Sequence, residues 1–135
     1  MKILVACALL MIGTVAQGAD PAITDGTSLS EGLALFDRGE AGAKLTQLQN
    51  LESFVAFAYV QGFWAGCRDW KNYGSSTPFI LPPKSNGRQF ELIVEKWLRD
   101  HPEALHEDAG YLMMLAMRDA FPNPAYRKPI PQQGL

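Results

Sequence analysis

Two histidines and a cysteine are the residues whose chemistry could support catalysis or metal binding in this sequence. His101 and His106 lie five residues apart, so on an α-helix they point about 140° apart and do not converge on one metal ion. Cys67 ends an apolar run, where a thiol usually behaves as a small buried hydrophobic group. An exposed thiol in an oxidising compartment would instead pair between chains. We predict no metal, no cofactor and no catalytic residue.

The acidic residues beside these histidines have a simpler interpretation. Glu107 and Asp108 are predicted in the first turn of the fourth helix, where negative charge stabilises a helix by about 0.3–1 kcal/mol. A nucleophilic pair of Cys67 with a histidine would need that histidine beside the middle of the chain, and no spacing indicates this. The pattern favours a protein that binds over one that catalyses.

Composition and charge are those of a globular chain with one domain. The 135 residues are 47% hydrophobic and 19% charged, and their net charge is −2 at pH 7. No block of like charge is present, and nucleic acid is not expected as a partner because it requires a basic patch.

The amino terminus has the pattern of a cleaved secretion signal. Lys2 precedes an apolar run over 3–15, and small residues follow it at a suitable cleavage position. The run is shorter than the roughly 20 residues that span a bilayer. We predict a signal peptide over 1–18, an exported chain without membrane insertion, and a flexible leader over 19–27.

Helical periodicity predicts an all-α domain over 28–122. Ser28 and Glu31 have the spacing of a capping box, which predicts that a short first helix starts there and ends at the glycines that follow it. The second and longest helix is predicted over 44–70. Its apolar surface on all sides predicts that protein surrounds it at the centre of the fold.

One stripe of the second helix carries almost no side chains. Ala58, Gly62 and Gly66 recur at intervals of four residues, which allows another backbone to approach closely. Each interior glycine costs about 1 kcal/mol relative to alanine, and tight packing can offset this cost. The alternative is that the glycines loosen the end of the helix. We predict close helix packing on this stripe.

A long irregular loop is predicted over 71–87, where proline, glycine and serine recur. Irregular connections longer than about 12–15 residues are uncommon in compact domains and are often functional. The apolar residues in its middle, from Phe79 to Leu81, either pack into the core or contact a partner.

Two further helices complete a bundle of four to five. Asn86 and Gln89 repeat the capping spacing and open the third helix, which Pro102 ends. Its apolar stripe lies opposite a charged face formed by Arg88, Glu91, Glu95 and Arg99. The fourth helix extends to Ala120, and the proline-rich tail over 123–135 is predicted to be extended.

Several motifs together indicate a family. Leu81-Pro-Pro is followed by a helix that contains Gln89, Val94 and Leu98, then by His101-Pro-Glu-Ala-Leu-His106, and finally by Ala116-Met-Arg-Asp-Ala-Phe-Pro122. Upstream lies Tyr59-Val60-Gln61-Gly62. These segments resemble the Rap/Tai family of immunity proteins, and the resemblance covers most of residues 28–123.

The resemblance implies a function that spacing alone does not reveal. It implies a small periplasmic helical protein, often dimeric, that protects a bacterium from peptidoglycan amidases delivered by type VI secretion. Such a protein occupies the active-site cleft of the amidase, for which an interface of about 1,600 Å² and nanomolar affinity suffice. The alternative is a periplasmic structural or envelope-stress protein that self-associates and has no toxin partner.

The sequence departs from the family where the family has cysteines. Ala56, Ile80 and Asn123 stand at these positions, so the disulfide that joins the loop to the end of the last helix is missing at both ends. Removal of such a bridge typically costs about 2–5 kcal/mol. The family's aspartate after the tyrosine motif falls near Ala65.

We predict that the loop and the end of the second helix contact the partner, because loops on rigid scaffolds often carry recognition. The predicted contact residues are Arg68, Asp69, Trp70, Tyr73, Ser75, Ser76, Phe79 and Lys84.

Overall fold

The computed structural model describes residues 22–69 and 77–126, and helices form the fold. The α-helices are α1 (Gly26–Glu40), α2 (Gln47–Asp69), α3 (Gly87–Asp100) and α4 (Ala109–Ala120), with a short 3-10 helix (Pro102–Ala104) before α4. Within these described ranges the only extended pairing consists of isolated bridges. The prediction of a small all-α bundle is confirmed.

The first helix begins earlier than predicted. Asp25 is its N-cap, and its carboxylate accepts a hydrogen bond of 2.8 Å from the backbone N–H of Ser28. In return, Ser28 Oγ accepts a hydrogen bond of 3.2 Å from the Asp25 N–H. The capping box is therefore formed by Asp25 and Ser28, and its prediction at Ser28 and Glu31 is wrong because an acidic cap lies one turn upstream.

The segment just before α1 is held by hydrogen bonds to the approach to α4. The backbone N–H of Gly26 donates to the Glu107 carbonyl at 3.0 Å, and the N–H of Ala109 donates to the Thr24 carbonyl at 3.2 Å. A side chain at Gly26 would overlap that of Leu112. Residues 24–27, predicted as part of a flexible leader, are instead packed against the rest of the fold.

α1 and α2 pack closely over small and aromatic residues. A Cβ atom built at Gly32 would lie 2.5 Å from Ala56 Cβ, so only glycine fits there without a shift of one helix. The rings of Phe36 and Phe57 stack with their centroids 4.4 Å apart. Gly42, with φ +85°, turns the chain between the two helices. The close helix contact therefore involves Gly32 and Ala56.

α2 is not surrounded by the described parts of the protein. One side packs on α1 and α3, and the opposite side is exposed and largely apolar. Phe54 on that side is 66% exposed. The prediction of a fully enclosed central helix is wrong, because the helices of the described fold cover only part of its circumference.

α3 and α4 follow the sequence pattern closely. Asn86 Oδ1 accepts a hydrogen bond of 2.9 Å from the Gln89 N–H, which confirms the predicted start of α3. Asp108 caps α4 by accepting from the Tyr111 N–H at 2.8 Å, so it precedes the first turn in which it was predicted to lie. Trp97 Nε1 donates to Asp119 at 2.9 Å and links the two helices.

The core lies where the four helices meet. Its largest fully buried apolar side chains are Phe90, Leu29, Leu33, Leu98, Leu112, Met113, Met117, Val60 and Val94. Cys67 is also buried, which confirms the first of its two predicted environments. None of the described helices has the length and hydropathy needed to span a membrane.

The ends of the sequence are only partly described. The predicted signal peptide over 1–18 and residues 127–135 of the predicted tail lie outside the described residues. Residues 123–126 form a turn in which the Tyr126 N–H donates to the Asn123 carbonyl at 3.0 Å. The start of the tail is therefore folded back, where an extended chain was predicted.

Candidate partner-binding site

The described part of the long loop begins with a short pairing to the end of α4. Phe79 and Pro122 form an isolated antiparallel bridge. On either side of it, the Ile80 N–H donates to the Phe121 carbonyl at 3.0 Å, and the Asn123 N–H donates to the Pro78 carbonyl at 3.1 Å. These hydrogen bonds hold residues 78–80 of the loop against the end of α4.

A buried side chain adds a further link at this pairing. Asn123 is 7% exposed, and its Nδ2 donates to the main-chain carbonyl oxygen of Thr77 at 2.7 Å. Its Oδ1 accepts from the Ala125 N–H at 3.0 Å. One side chain thus ties together the loop, the end of α4 and the turn that follows.

The second half of the loop is held by a turn and by a close contact with α2. The Ser85 N–H and Oγ both donate to the Pro82 carbonyl, at 3.0 and 2.8 Å. Gly87 packs so closely on the side chain of Gln61 that an added Cβ would overlap it. Lys84 lies within this turn and is exposed. The loop therefore presents Lys84 from a fixed backbone.

The apolar middle of the loop has two environments. Phe79 is 3% exposed and belongs to the core cluster, whereas the neighbouring Ile80 is 56% exposed. The sequence left open whether these residues pack into the core or contact a partner, and Phe79 packs into the core. Its ring is buried in the core, and the neighbouring Ile80 offers an exposed apolar side chain.

The other predicted contact residues lie at the end of α2 or beyond it. Arg68 is exposed, and its guanidinium lies 4.9 Å from the ring centroid of Trp64, which is within the range of a cation–π contact. Asp69 is the last residue of α2, and its side chain is not described. Trp70, Tyr73, Ser75 and Ser76 lie outside the described residues. Their contact role stays a prediction.

The stripe of small residues on α2 faces outward. Ala58, Gly62 and Gly66 are exposed, and no described residue lies within 4 Å of a Cβ atom built at either glycine. With these residues, exposed Leu51 and Phe54 form an apolar surface that we name the α2 open face. Within the described part of the chain no other helix packs on this stripe, and the close approach occurs at Gly32 instead.

A cluster of charged side chains between α1 and α3 is the feature that the sequence analysis missed. Asp37, Glu91 and Glu95 each place a carboxylate oxygen within 4.8 Å of the other two, which is the one such grouping among the described residues that could hold a metal ion. Arg88 donates to Glu91 at 2.6 Å and to Asp37 at 3.2 Å. Glu91 was predicted on the solvent face but is 0% exposed, because α1 covers that side of α3.

The cysteine and the two histidines singled out in the sequence lie in separate surroundings. Burial raises the pKa of Cys67 to about 12, so the thiol stays protonated at neutral pH. His101 stacks on Trp97 and donates from Nδ1 to the Trp97 carbonyl at 2.9 Å. His106 is exposed and lies 3.4 Å from the Glu107 carboxylate. These contacts are structural and local.

The described chain is a small helical bundle with an anchored loop, and comparison with known families gives its class. The protein-family model described as Rap1a immunity proteins matches residues 38–123 of the sequence, which is more than half of the chain. The chain belongs to this family of immunity proteins, which confirms the resemblance that its motifs indicated. Neither the curated proteins nor the solved structures gave a significant match.

The match gives the Thr77–Asn123 link a context. Ile80 and Asn123, which stand where the Rap/Tai resemblance places cysteines, lie in the two segments that the backbone hydrogen bonds join. The resemblance implies a disulfide between these two segments. In this chain, hydrogen bonds join them instead.

Proposed function

We propose that this protein is a periplasmic immunity protein that neutralises an amidase-type, peptidoglycan-degrading effector of type VI secretion by binding and blocking its active-site cleft. The observation that carries the proposal is the family match over 38–123, which includes the whole of α2, the loop and α4. Neutralisation of this kind needs tight binding and no catalysis, and interfaces of standard size include some of the tightest known complexes.

We infer that the loop is the part of the protein that enters such a cleft. Its described part, 77–87, is held near one end by the pairing of Phe79 with Pro122 and at the other by Gly87 against Gln61. A loop held in its bound conformation loses less conformational entropy on association. Between these points it exposes Ile80 and Lys84, and Arg68 is exposed in the last turn of α2. We infer that these side chains form the described part of the effector contact.

The α2 open face supports a separate role in self-association. Exposed apolar patches on small proteins commonly mark protein interfaces. The centre of this face carries only the small side chains of Ala58, Gly62 and Gly66, so a second helix could approach closely. We infer a homodimer through this face, which leaves the loop free for the effector.

A protection assay in a bacterial host tests the function. A candidate peptidoglycan amidase effector is exported to the periplasm together with this protein or with the double variant Arg68→Glu, Lys84→Glu. We expect the unmodified protein to prevent lysis and the double variant to fail, because two exposed positive charges at the loop are reversed. The matched control is Lys44→Glu, Arg99→Glu, which makes the same charge change at exposed positions outside the loop.

The control separates contact from general charge. Protection by the control and lysis with the loop variant, at equal protein levels, would support the loop as the contact surface. Lysis despite abundant unmodified protein in the periplasm would contradict the proposed function.

A second candidate is a periplasmic structural protein that self-associates through the α2 open face and has no toxin partner. The exposure of Phe54 and the open glycines favours it. The same assay distinguishes the two, because this candidate predicts no protection from any neighbouring amidase. It also predicts that Gly62→Leu, at an exposed position where an added Cβ meets open space, abolishes both the dimer and any envelope phenotype.

A further inference from the structure

Three acidic side chains and one basic side chain meet between α1 and α3. Carboxylate oxygens of Asp37, Glu91 and Glu95 lie within 4.8 Å of one another. Arg88 forms ion pairs with Asp37 at 3.2 Å and with Glu91 at 2.6 Å. One positive charge therefore faces three acids, and the cluster would carry excess negative charge if all three were ionised.

Glu95 is the acid that this arrangement leaves uncompensated. Arg88 directs its contacts at the other two carboxylates, and Glu95 Oε1 is buried with no hydrogen-bond donor among the described residues. Oε2 of Glu91 is buried in the same way. An ionised carboxylate can only accept hydrogen bonds, so burial without a donor is costly.

A proton resolves this conflict. A protonated carboxyl group carries one O–H that can donate to a neighbouring carboxylate, and two acids held this close commonly retain one proton between them. We propose that the cluster binds a proton on Glu95, shared with the Asp37 carboxylate, and that this proton stabilises the packing of α1 against α3. This makes the stability of the fold proton-dependent, whether or not the chain binds an amidase.

The electrostatic surroundings support the same assignment. Burial raises the pKa of Glu95 to about 7, and the negative charges of Asp37 from α1 and Glu91 from α3 raise it as well, while Arg88 lowers it. Burial also raises the pKa of Glu91, but its hydrogen bond from Arg88 opposes the rise, and Glu40 of α1 adds a like charge. Glu95 therefore holds the proton more firmly than a carboxylate already paired with Arg88.

The sign of the pH effect follows from this shift. The pKa of Glu95 in the folded protein lies above its ordinary value of 4.5, so folding takes up a proton between these values. The stabilisation is fully present below about pH 4.5 and is lost as the pH rises through about 7.

The experiment measures the urea unfolding of the purified protein at pH 5 and pH 8, alongside Glu95→Gln. The amide mimics the protonated acid and does not titrate. We expect the unfolding constant of the unmodified protein to increase roughly 50-fold between the two pH values, and that of Glu95→Gln to change less than about threefold. The control Glu31→Gln, an exposed acid on α1, should keep the pH dependence of the unmodified protein.

A direct titration keeps the inference testable if Glu95→Gln folds poorly. Carbon-13 NMR of the Glu95 side-chain carboxyl in the unmodified protein should show a midpoint near pH 7, well above the midpoints of exposed glutamates. A midpoint below pH 5, or an unchanged pH dependence in a folded Glu95→Gln variant, would overturn the proposal. So would a metal-dependent result, in which calcium ions raise the stability at pH 8 and a chelator removes the gain.

Discussion

Asn123 Nδ2 donates a buried hydrogen bond of 2.7 Å to the main-chain carbonyl oxygen of Thr77, and this bond joins the loop before α3 to the end of α4. The resemblance to the Rap/Tai family implies a cysteine at the position of Asn123. A net hydrogen bond is worth about 1 kcal/mol, whereas a disulfide in a small domain is worth about 2–5 kcal/mol. The backbone pairing of Phe79 with Pro122 adds to the link, so the loop is held without covalent chemistry.

Asn123→Ala is expected to lower the free energy of unfolding by about 1–2 kcal/mol, because it removes a buried amide donor and the Oδ1 acceptor for the Ala125 N–H. Urea denaturation measures this change. The control Asn50→Ala removes an exposed amide that makes only a 3.4 Å contact with the Leu45 carbonyl, and it should change stability by less than about 0.5 kcal/mol. Equal effects of the two substitutions would argue against Asn123 as the link.

Two glycine substitutions on facing helices should have opposite effects. Gly32→Ala would place a Cβ 2.5 Å from Ala56 Cβ and 3.2 Å from the Glu52 carbonyl oxygen, so we expect a loss of about 1–3 kcal/mol from overpacking. Gly62→Ala meets open space and should stabilise the monomer by about 0.5–1 kcal/mol, because alanine favours the helix.

Thermal unfolding of dilute protein measures both changes, and analytical ultracentrifugation measures association. If the α2 open face forms the dimer, Gly62→Leu should weaken the dimer while the monomer stays folded. A dimer that is unaffected by Gly62→Leu and by Phe54→Asp would place the self-association surface elsewhere.

The cap of α1 predicts an acid-sensitive contribution to stability. Hydrogen bonds from Ser28 lower the pKa of Asp25 below its ordinary value of 3.8. Because the folded pKa is the lower one, the contribution is present above pH 3.8 and is lost as the pH falls through the folded value. Asp25→Ala should cost about 1 kcal/mol at pH 7, whereas Asp25→Asn, which keeps a capping oxygen, should cost much less.

Denaturation at pH 7 and at pH 3 checks this prediction. The difference between Asp25→Ala and the unmodified protein should shrink at pH 3. A difference that stays constant with pH would show that the carboxylate charge is not what caps the helix.

Neighbouring substitutions in the loop should separate folding from binding. Phe79→Asp introduces a charge where the side chain is 3% exposed, so we expect a loss of about 3–5 kcal/mol and poor folding. Ile80→Asp changes a side chain that is 56% exposed and should leave the fold intact.

Circular dichroism checks the fold of both variants, and a pull-down with the effector checks binding. Lost binding by folded Ile80→Asp would support the loop contact. Full binding by this variant would move the contact away from Ile80.

The sequence was most informative where local rules decide the structure. α3 begins at the Asn86 cap and ends before Pro102 because both effects act within a few residues. The start of α1 was predicted one turn late, since Ser28 is part of a capping box in either position. Contacts distant in sequence order the chain there: Gly26 packs against Leu112, and its N–H donates to the Glu107 carbonyl.

Features that depend on tertiary packing could not be obtained from periodicity. The small-residue stripe of α2 could have met another helix or solvent, and the choice depends on where α1 and α3 pack. Periodicity places Glu91 on the polar face of α3, but its side chain is buried. It is buried because α1 packs on that face, where Arg88 pairs with both Glu91 and Asp37 of α1. The four contact positions between Trp70 and Ser76 lie outside the described residues, so this part of the site rests on the sequence.

The most direct test of the central claim is a titration of the purified protein into a peptidoglycan hydrolysis assay with a candidate amidase effector. The account predicts that hydrolysis falls in proportion to added protein and stops near equimolar amounts, and that the Arg68→Glu, Lys84→Glu variant fails to inhibit. Full hydrolysis in the presence of excess folded protein would contradict the account.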